Sequence, residues 1–119
     1  IHDRGDRYRA QMDAEELDNL YRLGSLLRGG VRVLGGSDAP YGDANPWIAL
    51  RAATDRRTQG GDVIGAGEAV RRAEALALYQ SPLAVGAPAD LILYDWPEDE
   101  GALGLVALTL IGGEIVWQA

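Results

Sequence analysis

Residues 31–40 read VRVLGGSDAP and join a short apolar run, Val31 to Leu34, to a loop that carries one acid, Asp38. The apolar run predicts a β-strand, and Asp38 follows it after small residues. In α/β barrels the side chains that carry chemistry follow the carboxyl ends of the strands. We therefore interpret Asp38 as a candidate catalytic residue and metal ligand.

Helices are predicted on both sides of this strand, which gives the order helix, strand, loop, helix that is typical of an α/β fold. Asp13 and Glu16 fit an acidic capping box, and the apolar spacing after them predicts one helix as far as Gly29. Asn45-Pro46 predicts the start of the next helix, ending near Arg57. Residues 1–12 are polar without a clear period and predict an irregular arm.

The pattern changes from helices to strands in the last third of the chain. A third helix is predicted from Glu68 to Tyr79. Three strands are predicted after it, at Leu91 to Tyr94, Ala107 to Ile111 and Glu114 to Trp117. Gly112-Gly113 predicts a hairpin turn, and Trp96 to Gly104 an acidic loop. The shift near Gly86 predicts a division into an α/β part, residues 1–85, and a small β unit, residues 86–119.

Composition limits the classes of function. A net charge of -7 argues against nucleic acid and anionic membrane as partners, because phosphate contacts need clustered positive charge. The chain has no cysteine, so disulfides and thiolate metal sites are excluded, and a cytoplasmic location is expected. No apolar run is long enough to span a bilayer. The 119 residues could form only about half of an eightfold barrel.

Several segments together resemble one family. GSDAP at residues 36–40 is similar to the motif after the eighth barrel strand of metal-dependent amidohydrolases, particularly amidohydrolase family 3. GAPADL at 86–91 resembles the signature where that chain leaves the barrel for a small β-sandwich. TLIGGEIV at 109–116 is similar to its closing hairpin, and EALALY at 74–79 to the helix after the barrel.

The resemblance implies a C-terminal fragment of a (β/α)8 amidohydrolase barrel, its last helix-strand-helix units, followed by a β-hairpin segment of the sandwich. It implies that Asp38 binds the catalytic metal and moves a proton during hydrolysis of a C–N or related bond in a small molecule. Members use several histidines, and a divalent metal, with zinc expected, in the complete enzyme. This chain has a single histidine, His2, so it is expected to bind no metal tightly and to be inactive alone.

Other interpretations of these residues remain open. Asp38 could cap a turn or the following helix, and Ser37 could orient Asp38 by a hydrogen bond. His2, in a polar arm, is interpreted as a solvated residue, and Asp90 as a structural one that ties a strand start to a turn. A different class of function is a non-catalytic structural or interaction domain. The unpaired strand Val31 to Leu34 would then drive homodimerisation or strand pairing with a partner.

Overall fold

The computed structural model describes residues 1–95 and 104–119, and it combines helices with a small antiparallel sheet. It divides into two compact units, Ile1–Gln80 and Ser81–Ala119. The sequence-based division after residue 85 stays a prediction. The predicted acidic loop from Trp96 falls, except for Gly104, outside the described residues. Within the described ranges, no helix has the length and apolar content needed to cross a membrane.

The first unit is helical. Its helices are α1 (Gly5–Gln11), α2 (Ala14–Asp18), α3 (Leu23–Arg28), α4 (Pro46–Asp55) and α5 (Arg72–Ala77), with a 3-10 turn at Ala66–Glu68. The irregular arm predicted for residues 1–12 is therefore wrong over α1. Residues distant in the sequence contact α1. Buried Gly5 packs so closely against Thr58 that a Cβ on Gly5 would lie 2.4 Å from Thr58 Cγ2. Gly60 N–H donates to Asp6 Oδ2 at 2.9 Å.

The capping box that starts α2 is confirmed, since Asp13 accepts the Glu16 N–H at 2.9 Å and Glu16 accepts the Asp13 N–H at 3.1 Å. The single helix predicted as far as Gly29 is wrong, because the helix ends at Asp18. Tyr21 has a left-handed backbone, φ 52°, and α3 begins two residues later. The break has a tertiary cause, described below.

Residues Val31–Leu34 do not form a β-strand in the described part of the chain. Val31 N–H donates to the Leu26 carbonyl at 3.0 Å, and Gly35 N–H donates to the Leu78 carbonyl at 2.8 Å. A strand exists through its ladder of hydrogen bonds to a neighbour, and no described strand lies beside this segment. The predicted strand is wrong for this reason.

The core of the first unit lies between α4, α5 and the connection that joins them. Leu50, Ile64 and Ala75 are buried there, and each aliphatic side chain removed from water contributes about 1.5–3 kcal/mol. The start of α4 is confirmed, since Asn45 Oδ1 accepts the Trp47 N–H at 3.0 Å. The third helix is shorter than predicted, because extended backbone at Arg71 separates α5 from the 3-10 turn.

The second unit is a three-stranded antiparallel sheet in the order β1 (Leu91–Asp95), β2 (Leu105–Ile111), β3 (Glu114–Gln118). The three predicted strands are confirmed. Gly112 and Gly113 turn the β2–β3 hairpin with φ values of 59° and 85°, a conformation that glycine adopts without steric cost. Asp90 Oδ1 accepts the Gly112 N–H at 2.7 Å, which confirms its structural role.

A buried carboxylate fixes the start of α3. Glu68 Oε2 accepts the Ser25 N–H at 2.7 Å, and Glu68 Oε1 accepts the Ser25 hydroxyl. These two hydrogen bonds hold the pKa of Glu68 below its usual value, and the bond from the hydroxyl has the larger effect. A negative charge at a helix N-terminus also interacts favourably with the unpaired N–H groups. Glu68 thereby joins the 3-10 turn to α3.

Replacing Glu68 tests this connection through its pH dependence. The folded pKa is lowered, so the stabilisation is present above the ordinary value of 4.5 and is lost as the pH falls through the folded pKa. We expect Glu68→Gln to be less stable than the wild type at pH 7 and to lose less stability between pH 6 and pH 3. Urea unfolding followed by far-ultraviolet circular dichroism measures both. The exposed Glu15→Gln is the control, and equal acid sensitivity of Glu68→Gln and wild type would contradict the assignment.

Candidate functional site

A cavity of about 450 Å³ lies in the first unit, and Asp38 is on its wall. The wall is formed by the residues before α1, the corner between α2 and α3, the segment 33–43, one side of α4, and Leu78 with Tyr79. A cavity of this size suits a small molecule. The structure thus places the sequence-predicted acid at a concave surface.

The loop around Asp38 is a tight turn held by backbone atoms. The Asp38 carbonyl accepts the N–H groups of Tyr41 at 2.8 Å and Gly42 at 3.2 Å. Ser37 Oγ accepts the Ala39 N–H at 3.2 Å, so the described hydrogen bond of Ser37 is to the backbone of the turn and not to the Asp38 side chain. Asn45, not Asp38, caps α4. Among the described residues, the Asp38 carboxylate makes no hydrogen bond, and it is exposed at the cavity.

The segment before α1 fastens this loop from the other side. Arg4 donates to the Tyr41 carbonyl at 3.0 Å and lies 5.7 Å from the centre of the Tyr41 ring. Asp3 Oδ2 accepts the Asp43 N–H at 3.3 Å. His2 Nδ1 is 2.8 Å from Asp3 Oδ1, and this contact is the main cause that lowers the pKa of Asp3. His2 also lines the cavity, and its side chain remains 38% exposed.

Three residues on the cavity wall have an unusual backbone. Tyr21, Asp38 and Arg56 have φ values of 52°, 56° and 59°, and within the described ranges they are the non-glycine residues with positive φ. All three line the cavity. The left-handed conformation costs an L-residue roughly 1–2 kcal/mol, and such conformations cluster at functional sites. Their common location supports the cavity as the site.

Arg56 is buried, with 2% of its surface exposed, and its guanidinium binds three carbonyl oxygens. It donates to Ile64 at 2.9 Å, to Tyr21 at 3.0 Å and to Leu20 at 2.7 Å. Burial lowers the pKa of Arg56, and the charge of Glu68 acts in the opposite direction. These bonds to Leu20 and Tyr21 bend the chain between α2 and α3, which explains why the predicted helix breaks there.

Tyr21 is a site residue that sequence reasoning did not select. Its hydroxyl lies 3.3 Å from that of Tyr8 and its ring centre 6.4 Å from the Tyr8 ring. The hydrogen bond with Tyr8 raises the pKa of Tyr21 most and burial raises it further, whereas the charge of Arg4 lowers it and outweighs the smaller effect of Asp38. Tyr21 and Asp38 line the same cavity. No local pattern signals this, because Tyr21 fits the apolar face of the predicted helix.

The residues present do not form a complete metal centre. Asp38, His2, Asp3 and Asp43 line the cavity, yet no group of three or more His, Cys, Asp or Glu side chains in the described ranges is arranged to hold a metal ion. A catalytic zinc requires about three protein ligands. The donors that the described residues place on this wall therefore do not fit the ion by themselves.

Comparison with known families identifies the class of protein. The family model described as the amidohydrolase family matches residues 5–81, which is more than half of the chain and includes Asp38 and most of the cavity wall. The chain belongs to the amidohydrolase family, as the sequence motifs predicted. This membership indicates a hydrolase-type function, and the family generally uses divalent metals. No curated protein and no solved structure matches the chain.

The left-handed backbone of Asp38 can be tested by stability. Glycine adopts positive φ freely, whereas alanine does not. We expect Asp38→Gly to be more stable than Asp38→Ala by about 1 kcal/mol, measured by urea unfolding of the two variants. Asp43 provides the matched control, because its φ is not positive. There the order should reverse, with Asp43→Ala the more stable variant, and the same order at both positions would contradict the assignment.

Proposed function

We propose that this chain is the C-terminal part of a metal-dependent amidohydrolase that hydrolyses a C–N, non-peptide bond or a related bond in a small molecule. The observation that carries the proposal is the position of Asp38: it stands exposed on a cavity wall within the residues that match the family. The apolar run at residues 31–34, directly before the loop that carries Asp38, supports a place in the last helix-strand-helix units of a (β/α)8 barrel. Residues 86–119 then correspond to the hairpin segment of the small sandwich.

Asp38 has the chemistry that hydrolysis of an amide needs. A carboxylate at a substrate-sized cavity can accept a proton from attacking water and return it to the leaving nitrogen. Its side chain makes no hydrogen bond to another described residue, so the carboxylate oxygens are available to water and substrate. The wall around it is apolar in Leu23, Ile48 and Leu78, as in most small-molecule sites.

The complete enzyme would hold a divalent metal, with zinc the expected ion, and Asp38 would be one of its ligands. The other ligands would come from residues outside this chain, because the donors on the cavity wall do not form a metal-holding group. The chain alone is therefore proposed to bind zinc weakly and to lack activity. The net charge of -7 supports a site for small molecules rather than nucleic acid or membrane. A cysteine-free chain is compatible with the proposed cytoplasmic location.

Two measurements test this function. We expect the sequence encoded before Ile1 to contain a His-x-His pair after an apolar strand, and we expect Asp38→Asn in the protein that includes it to lower amide hydrolysis by about 100-fold or more. Asp43→Asn, a nearby acid on the same wall, is the control. The chain by itself should show neither stoichiometric zinc binding by calorimetry nor turnover. Hydrolysis unaffected by Asp38→Asn would refute the catalytic role, and turnover by the chain alone would refute its proposed inactivity.

A second candidate is a non-catalytic structural or interaction domain that homodimerises or pairs strands with a partner. One observation favours it. In the described part of the chain, no strand pairs with the apolar residues 31–34, and Val31 and Leu34 are 48% and 70% exposed. Backbone donors and acceptors that no neighbouring strand pairs can template pairing with another chain.

Light scattering after size exclusion separates the two candidates. If strand pairing is the function, the chain should form a dimer at micromolar concentration, and Arg32→Pro should weaken it by removing a backbone donor. Ala84→Pro, at an exposed position of the second unit, is the matched control. A monomer at all concentrations would contradict the interaction function and leave the hydrolase proposal as it stands.

A further inference from the structure

We propose that Tyr21 contacts the substrate beside Asp38 and that Arg56 is the positioning residue that holds Tyr21 there. This inference rests on the proposed function for the identity of the reaction. It concerns two residues that the sequence motifs did not include. Its evidence is the backbone of Tyr21, the contacts of Arg56, and the exposure of the phenol on the cavity wall.

The backbone of Tyr21 is the first step. A left-handed φ of 52° suits glycine or asparagine, and tyrosine is an unfavourable residue there. A helix corner that served only to change the direction of the chain would not need an aromatic side chain at this position. The side chain therefore has a use that offsets the backbone cost, and strained residues of this kind cluster at binding sites.

The second step is the set of contacts that holds this conformation. The Tyr21 carbonyl accepts the Leu23 N–H at 2.7 Å and a guanidinium N–H of Arg56 at 3.0 Å. The same guanidinium binds the Leu20 carbonyl at 2.7 Å. Gly65 makes room for it, since a Cβ there would lie 2.9 Å from Arg56 Nη2. A buried, bidentate group thus fixes two consecutive carbonyls of the corner.

The third step is the surroundings of the phenol. Tyr21 remains 55% exposed although its backbone is fixed, and it lines the cavity with Asp38. Its described hydrogen-bond partner is the Tyr8 hydroxyl, at the long distance of 3.3 Å. A hydroxyl held weakly at a cavity wall can exchange that bond for one to a polar substrate atom, while the ring covers an apolar substituent. The substrate class this favours is a small amide with an aromatic or apolar substituent.

Binding of acetanilide, a small aromatic amide, tests the contact in the full chain. Chemical-shift titration should show shifts at the Ser37 and Asp38 amides, and Tyr21→Phe should weaken binding about fivefold. Tyr21→Asn should be at least as stable as the wild type, because asparagine tolerates left-handed backbone, and should still bind more weakly. Tyr94→Phe in the second unit is the control. Unchanged binding in Tyr21→Phe and Tyr21→Asn, or no binding to the wild type, overturns the contact.

A double-mutant cycle tests the positioning role of Arg56. Arg56→Lys keeps the charge but loses the planar guanidinium whose two N–H groups bind two carbonyls. It should therefore weaken acetanilide binding and speed hydrogen exchange at the α2–α3 corner. In the Tyr21→Phe background, Arg56→Lys should have little further effect on binding. Additive losses would overturn the positioning role. Where Arg56→Lys does not fold, Tyr21→Asn still decides the contact. Both tests measure binding and not hydrolysis. If Asp38→Asn left hydrolysis unchanged, the proposed function would be refuted, and the binding results for Tyr21 and Arg56 would still stand.

Discussion

The buried guanidinium of Arg56 is the interaction on which the first unit depends. A charge removed from water is costly unless polar groups surround it, and here three carbonyl oxygens do so, from Leu20, Tyr21 and Ile64. The same residue ends α4 with its left-handed backbone. One side chain therefore ties together the end of α4, the connection that follows it and the corner between α2 and α3. Because the guanidinium cannot lose its charge near neutral pH, these carbonyls must stay close to it.

This dependence explains which parts of the fold could be predicted. The capping box at Asp13, the Asn45-Pro46 start and the Gly112-Gly113 turn are local arrangements, and the residues that cause them lie within a few positions. The break at Tyr21 is caused by a side chain 35 residues away, so no window of local sequence contains its cause. The helical spacing across residues 17–27 is real, and a tertiary bond overrides it.

The segment at 31–34 differs in kind from the other wrong predictions. Its apolar sequence is typical of a strand, and what the described part of the chain lacks is a strand that pairs with it. Strand structure is a property of a pair, whereas a helix closes its own hydrogen bonds. A segment with a strand-like sequence therefore forms a strand only where a second segment pairs with it. The motif around Asp38 could be recognised from the sequence because a turn of small residues is a local arrangement. Tyr21, His2 and Arg56 reach the cavity only through tertiary folding, so no local motif marks them.

The position of Asp38 does not require the rest of a metal centre. Its turn closes on its own carbonyl, through Tyr41 and Gly42, and Arg4 and Asp3 fasten the loop from the segment before α1. The left-handed φ at Asp38 is therefore maintained by contacts inside the first unit. Strain of this kind persists only where the surroundings over-determine it, and these contacts supply that. The contacts of this chain therefore account for the placement of the carboxylate, and the metal-dependent function proposed above requires only that further ligands be supplied.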